Sequence, residues 1–384
     1  MSEIHNEKSE MEGFSELPPD SSEQDKERHL AELSQKGYQL MRQGFVQDAQ
    51  TYFQKILEID PTNNYALVGL GDALRKRRQF STAAYNYSIC LNHHPRNNYA
   101  LFGLADSYAA MHKFREAAEV WERYLEHDDR NITVLTRVAD ANRKARNFRR
   151  AKELYEQVIK IERHNLYALI GLGHLHYDYK EYAGALTYWL QVLDITEPRP
   201  DIRILTSIGN CYRKMHRFNE GLPFFERARK QDEQNFYALF GLADCFRGLN
   251  QPERALDLWH QLLKKEPENK VILTRAGDAY RKMGEIKEAE RCYTEALSIG
   301  FDVYAVLGLA YLRIHHTKQA AAAVQTLEPL TQQDPHNHRF FLALADAYEA
   351  MNQHDMAEKT LNSFLQQGLR HPAVTEALQR LRQS

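Results

Sequence analysis

With 384 residues, 43% of them hydrophobic and 27% charged, the chain has the composition of a folded protein rather than a collagen-like or wholly unstructured one. Lys and Arg number 50 against 52 Asp and Glu, and the net charge of −2 offers no general pull toward nucleic acid or an anionic membrane. No apolar run reaches the roughly 18 residues of a membrane span, and the N-terminus lacks the basic and apolar regions of a secretory leader. The four cysteines (Cys90, Cys211, Cys245 and Cys292) are far apart with no CxxC, as in a reducing compartment, so a cytoplasmic protein is expected.

The charge is unevenly placed. Residues 1–27 hold nine acids against Lys8 and Lys26, a balance of −7 that leaves +5 for the remainder. The stretch Ser15-Glu-Leu-Pro-Pro-Asp-Ser-Ser-Glu23 has too few apolar residues to bury, so residues 1–28 are expected to form a disordered acidic tail.

Beyond it the chain repeats itself. Asn64-Tyr-Ala-Leu-Val-Gly-Leu-Gly-Asp72 recurs 34 residues later as Asn98-Tyr-Ala-Leu-Phe-Gly-Leu-Ala-Asp106. It returns at Tyr167–Gly173, Tyr237–Asp244 and Tyr304–Ala310. With Pro61 and Pro95 at repeat position 32, ten repeats begin near residues 30, 64, 98, 132, 166, 202, 236, 270, 303 and 338. Position 8 (Gly37, Gly71, Ala105, Ala139, Gly173, Gly209, Ala243, Gly277, Ala310, Ala345) is always Gly or Ala. So is position 20 (Ala49, Ala83, Ala117, Ala151, Ala185, Gly221, Ala255, Ala289, Ala322, Ala357). Small side chains there let two helices cross at roughly 8–10 Å. Position 24 supplies a bulky plug in the first eight repeats: Phe53, Tyr87, Trp121, Tyr155, Trp189, Phe225, Trp259 and Tyr293. Thr326 and Leu361 replace it in the last two.

A 34-residue period with these offsets resembles the tetratricopeptide repeat. The resemblance covers about residues 29–370 and implies an all-α solenoid of stacked helix–turn–helix repeats forming a right-handed superhelix. Two extra residues near Pro198-Arg-Pro200 are expected to lengthen one turn. Residues 371–384 start with Pro372 at a first helical turn and carry one apolar stripe (Val374, Ala377, Leu378, Leu381), as a terminal capping helix does.

Ten repeats leave no room for a catalytic domain, and the chain has neither a glycine-rich phosphate loop nor a GxSxG elbow. No enzyme activity, cofactor, metal or small-molecule substrate is therefore expected. The histidine pairs His93/His94, His174/His176, His315/His316 and His336/His338 are adjacent or two apart, and such residues do not share a helix face.

Function is then expected on the first helix of each repeat, whose positions 2, 5, 9, 12 and 13 line the concave groove in the family. Position 2 is Tyr65, Tyr99, Tyr167, Tyr237 and Tyr304, each followed four residues later by Gly (Gly69, Gly103, Gly171, Gly241, Gly308). Gly costs about 1 kcal/mol inside a helix, so its recurrence indicates that room is needed, for a neighbouring ring or for a ligand backbone. Position 9 is Asp72, Asp106, Asp140, Asp244, Asp278 and Asp346, with Asn210 in another repeat. Position 12 is Arg75, Arg143, Arg213, Arg247 and Arg281, and position 13 adds Lys76, Lys144, Lys214 and Lys282. Asp at 9 and Arg at 12 are i,i+3 neighbours that form surface ion pairs or leave the guanidinium free to fork onto a carboxylate.

A second period lies above the first. Trp121, Trp189 and Trp259 fall 68 and 70 residues apart, and the intervening repeats read Leu135-Thr-Arg137, Leu205-Thr-Ser207 and Leu273-Thr-Arg275. Duplication of a two-repeat block produces this; so does a groove of alternating apolar and basic stations, whose complement is an acidic extended segment with hydrophobic anchors. Position 5 (Val68, Phe102, Thr136, Ile170, Thr206, Phe240, Thr274) is never Lys, so the carboxylate clamp of chaperone-binding relatives is absent. Asn63, Asn97, Asn131, Asn165, Asn235 and Asn269 stand just before helices and are expected to be N-caps rather than a groove ladder like that of the O-linked N-acetylglucosamine transferases. The interleaved Asp residues argue against nucleic acid. The expected function is a protein-interaction scaffold binding a protein or peptide partner. The alternative is a non-catalytic subunit presenting substrate to a separate modifying enzyme.

Overall fold

A computed structural model describes residues 22–383, and all 21 elements in them are α-helices. The first helix of each repeat is α1 (Glu23–Gln43), α3 (Asn64–Lys76), α5 (Asn98–Ala110), α7 (Ile132–Lys144), α9 (Leu166–Asp178), α11 (Ile202–Lys214), α13 (Phe236–Gly248), α15 (Lys270–Met283), α17 (Val303–His315) and α19 (His338–Ala350). The second is α2 (Val46–Ile59), α4 (Phe80–His93), α6 (Phe114–Leu125), α8 (Phe148–Ile161), α10 (Tyr182–Thr196), α12 (Phe218–Gln231), α14 (Pro252–Leu263), α16 (Ile286–Ile299), α18 (Ala320–Gln333) and α20 (His354–Gln366). A last helix, α21 (Pro372–Gln383), follows. The helices form two compact bodies, one up to Tyr179 and one from Lys180.

The repeat frame coincides with the observed helix starts except at the first. There α1 begins at Glu23, so residues 23–28, expected in the acidic tail, are helical. The reason is local. Ser22 accepts the Asp25 amide and the Asp25 carboxylate accepts the Ser22 amide, a reciprocal capping box, with Glu23 and Asp25 favourably placed against the helix dipole. Residues 1–21 of that expected tail lie outside the described part of the chain. The two extra residues near Pro198 and Pro200, expected to lengthen the turn, are taken up mainly by α10, which at 15 residues is the longest second helix; five residues separate it from α11, against six after α6 and after α14.

Each helix boundary has a chemical cause. Asn63, Asn97, Asn131, Asn165, Asn235 and Asn269 each accept the backbone N–H three residues on, which makes them the expected N-caps. Asp201 and Asp302 do the same work for α11 and α17. Every turn from first to second helix passes through a left-handed residue. Glycine takes it at Gly44 and Gly284; elsewhere it falls on Arg78, His112, Arg146, Lys180, His216, Asn250, Lys318 and Asn352. A side chain there works against about 1–2 kcal/mol of steric strain.

The core of each body is built on the position-24 rings, which are almost completely buried. A methyl group on Gly71 would lie 2.6 Å from the Tyr87 ring, and one on Gly103, in the next repeat, 2.2 Å from the same ring. Phe53 is held likewise between Gly37 and Gly69, Phe225 between Gly209 and Gly241, and Tyr293 between Gly277 and Gly308. The room made by the position-6 glycines is therefore filled by the plug of the preceding repeat. Each buried ring contributes on the order of 2–3 kcal/mol, more than the roughly 1 kcal/mol that each helical Gly costs. Repeats with Trp at position 24 differ: Trp259 meets Phe240 edge-on at 5.1 Å, and the following position 6 carries Arg275. The two-repeat alternation thus has a packing cause.

Two expectations follow. Gly103→Ala, although a better helix former, should lower stability by about 2 kcal/mol through overpacking, because the Tyr87 hydroxyl is tied to Asp72 and the ring cannot retreat. Arg78→Gly should raise stability by about 0.5–1 kcal/mol by relieving the left-handed turn, less what the freer unfolded chain takes back. Thermal melts followed by circular dichroism read both, and a stabilised Gly103→Ala would refute the ring socket.

Candidate functional site

In the first body the position-2 tyrosines Tyr65, Tyr99 and Tyr167 stand 63%, 80% and 80% exposed, each one residue into the first turn of its helix. Such exposure is unusual for a large aromatic, and it recurs in the second body at Tyr237 (68%) and Tyr304 (50%). The Tyr237 ring meets Phe236 edge-on at 5.8 Å, and Tyr304 is paired with Arg339, whose Nη1 donates to its hydroxyl at 3.0 Å and whose guanidinium lies 5.2 Å from the ring centre. Position-2 Arg339 belongs to the last repeat and was not singled out in the sequence, because that repeat lacks the Tyr-Ala-Leu-x-Gly signature.

The charged positions are largely spent on the fold. Asp72 accepts the Tyr87 hydroxyl at 2.6 Å, Asp278 accepts that of Tyr293 at 2.8 Å, and Asp140 accepts that of Tyr155. Burial and the neighbouring carboxylate push all three phenols well above the ordinary tyrosine range, so they stay protonated donors. Where the plug is Trp121 or Trp259, no hydroxyl arrives, and the position-9 carboxylate gathers two guanidinium groups instead. Asp106 accepts from Arg75 at 2.6 Å and Arg137 at 2.5 Å, and Asp244 from Arg213 at 2.5 Å and Arg247 at 2.8 Å.

The expected Asp–Arg pairing within one repeat is therefore the lesser part. Arg75 sits 3.4 Å from Asp72, and Arg143 4.0 Å from Asp140, but Arg75 bonds Asp106 and Arg143 bonds Asp178 at 2.7 Å, each in the next repeat. Arg213 also takes Asn210 at 3.0 Å. Arg137 lies over Phe102 and Trp121, and Arg281 over Tyr311 at 4.7 Å. Arg275 is 4.0 Å from Asp278. Among the lysines, Lys76 donates to the Met41 carbonyl and Lys282 to Asn250, while Lys144 lies over Phe114 and Lys214 is exposed. The cross-repeat partners are 31 to 35 residues away, a separation that becomes contact only once helices are stacked.

The remaining candidates are scattered. His176 is buried edge-on against Phe148, His94 reaches the Thr62 carbonyl, His315 pairs with Asp346 at 2.9 Å, and His338 stacks on His371. No group of three or more His, Cys, Asp or Glu placed to hold a metal occurs among the described residues. All four cysteines are buried, and burial pushes the thiols of Cys211 and Cys245 up to about 12. No described helix is long and apolar enough to cross a membrane.

Asp244 gives the network a pH signature. Burial alone would raise its pKa, but Arg247 and Arg213 outweigh burial and hold it below the usual 3.8. Its stabilisation is complete above the unfolded value and is lost as pH falls through the lower folded value. Asp244→Asn should therefore cost about 2 kcal/mol near neutral pH and progressively less below 3.8. Urea midpoints of both proteins across that range test this; a pH-independent difference would contradict it.

No curated protein sequence matches the chain. Among solved structures, yeast Tom70 aligns at 14% identity and a TM-score of 0.47, covering 93% of this chain and 96% of that one. YrrB, described as a TPR protein with an unusual peptide-binding site, aligns at 18% and 0.43 over 49% of this chain and 97% of its own. MamA aligns at 20% and 0.41 over 44% and 92%. Sequence profiles of the tetratricopeptide repeat match residues 35–89, 136–200, 237–269, 272–299 and 316–381, more than half of the chain. With the helix pairs in the expected frame, the chain belongs to the tetratricopeptide repeat family.

Proposed function

We propose that this protein is a non-catalytic interaction scaffold, and that its first-helix faces bind an extended segment of a protein partner. One observation carries the reading: five tyrosines at the same repeat position stay half to four-fifths exposed, while the charged groups beside them are mostly consumed by contacts between repeats. Burying an exposed ring is worth roughly 1.5–3 kcal/mol, and tyrosine brings a hydroxyl that keeps it compatible with water when the partner leaves. Lys144 and Lys214 are cations that carry no carboxylate partner in the network, and they favour an acidic segment with apolar anchors between the Tyr stations.

The test is binding of the full chain to an array of acidic peptides carrying spaced apolar residues, compared with the Tyr99→Ala/Tyr167→Ala variant. Both rings are 80% exposed, so circular dichroism should be unchanged. Binding should fall about tenfold or more if the rings are anchors. Undiminished binding by the variant would remove the tyrosine face from consideration.

A further inference from the structure

In the last two repeats of the second body no ring stands at position 24, and beside the second of these, at Leu361, lies a cleft of about 550 Å³. Where position 24 is Phe or Tyr, its ring fills the space between the small residue at position 8 of its own repeat and the glycine at position 6 of the next. In the last repeat those three places are Ala345, Leu361 and, on α21, Ala377, and all three line the cleft. Leu361 is fully buried at its floor, too short to reach outward as a ring does. Asp346, the position-9 carboxylate that a plug tyrosine would meet, is on the wall. It pairs with His315 through Oδ2 and receives no phenol, whereas Asp72, Asp140 and Asp278 each do.

We infer that this cleft is a socket for a tyrosine side chain of a bound peptide, the ring entering above Leu361 and the hydroxyl donating to Asp346. The repeats of Tyr87, Tyr155 and Tyr293 display the same arrangement built from their own residues, so the ligand supplies what the last repeat omits. Charge complementarity adds a basic neighbour. The wall carries Asp346, Glu349 and Glu376 against Arg339 and Arg380; Arg380 is committed to Glu349 at 3.0 Å and Arg339 to Tyr304 at 3.0 Å. A Lys or Arg beside the tyrosine meets the remaining negative charge, and a phosphorylated tyrosine is repelled by it. The inference rests on the interaction reading only in taking the ligand to be a peptide; it uses none of the tyrosine stations of the first body.

The probe is the capped peptide acetyl-Gly-Tyr-Lys-Gly-amide, titrated into the full chain by calorimetry, with Phe and phosphotyrosine versions beside it. The expected result is saturable binding of the Tyr peptide, about tenfold weaker binding of the Phe peptide, and none of the phosphopeptide. Leu361→Tyr should fill the cleft with an internal ring and abolish binding while keeping or raising the melting temperature. Should that variant misfold, Asp346→Asn, at a half-exposed position, gives a second readout: it should shrink the preference for Tyr over Phe. No binding of the Tyr peptide, equal binding of Tyr and Phe peptides, or undiminished binding by a folded Leu361→Tyr protein would each overturn the socket. Tyr99→Ala/Tyr167→Ala should bind this peptide as the natural sequence does, so failure here and failure of the tyrosine face are told apart.

Discussion

A buried ring held between two residues without side-chain bulk is the contact on which the rest of this structure depends. Two helices in the same repeat and the first helix of the next meet at that ring, as at Tyr87 between Gly71 and Gly103. A repeat array has no central core, so stability is set by interfaces between neighbours. In the first eight repeats one buried ring per interface ties intrinsic repeat folding to stacking. The glycines are therefore costs of the helices that bear them and gains of the interface they serve.

The polar arrangement follows from the choice of ring. A buried tyrosine hydroxyl needs an acceptor, and Asp72, Asp140 and Asp278 supply it from the first helix of the same repeat. A carboxylate so placed, half shielded from water, then draws in cations. Where Trp121 and Trp259 replace tyrosine the acceptor is relieved of the hydroxyl, and Asp106 and Asp244 bridge two guanidinium groups each. What reads along the sequence as a ladder of free charge is thus mostly a set of staples between repeats. The tyrosines at position 2 are the groups that this network leaves over, which is why the binding proposal rests on them and not on the arginines.

The fold was legible because its determinants are periodic: small residues at positions 8 and 20, a plug at 24 in the first eight repeats, asparagine before most first helices. The recurrent position-6 glycine was legible as a demand for room, while its occupant was not. A ring 16 residues earlier, as Tyr87 stands to Gly103, enters that space only after two repeats are superposed. The Arg75–Asp106 and Arg143–Asp178 bonds escaped for the same reason, since the nearest carboxylate in sequence is the i−3 residue of the same helix. The start of α1 was missed because composition argued for an acidic tail, whereas two residues, Ser22 and Asp25, suffice to start a helix there.

The position of the cleft is itself informative. In an array where each repeat touches only its neighbours, an open cleft in the interior would weaken the link between two large blocks. At the last interface only α21 is at stake. That helix has its own attachment through Val374, Leu378 and Leu381, all buried against the preceding repeat's core. A recognition cleft can be left open there without loosening what lies before it, and its occupancy would fasten the terminal helix more firmly. Binding and capping then draw on the same physics, a ring between two helices, and the end of the array is where a partner's ring can take part in it.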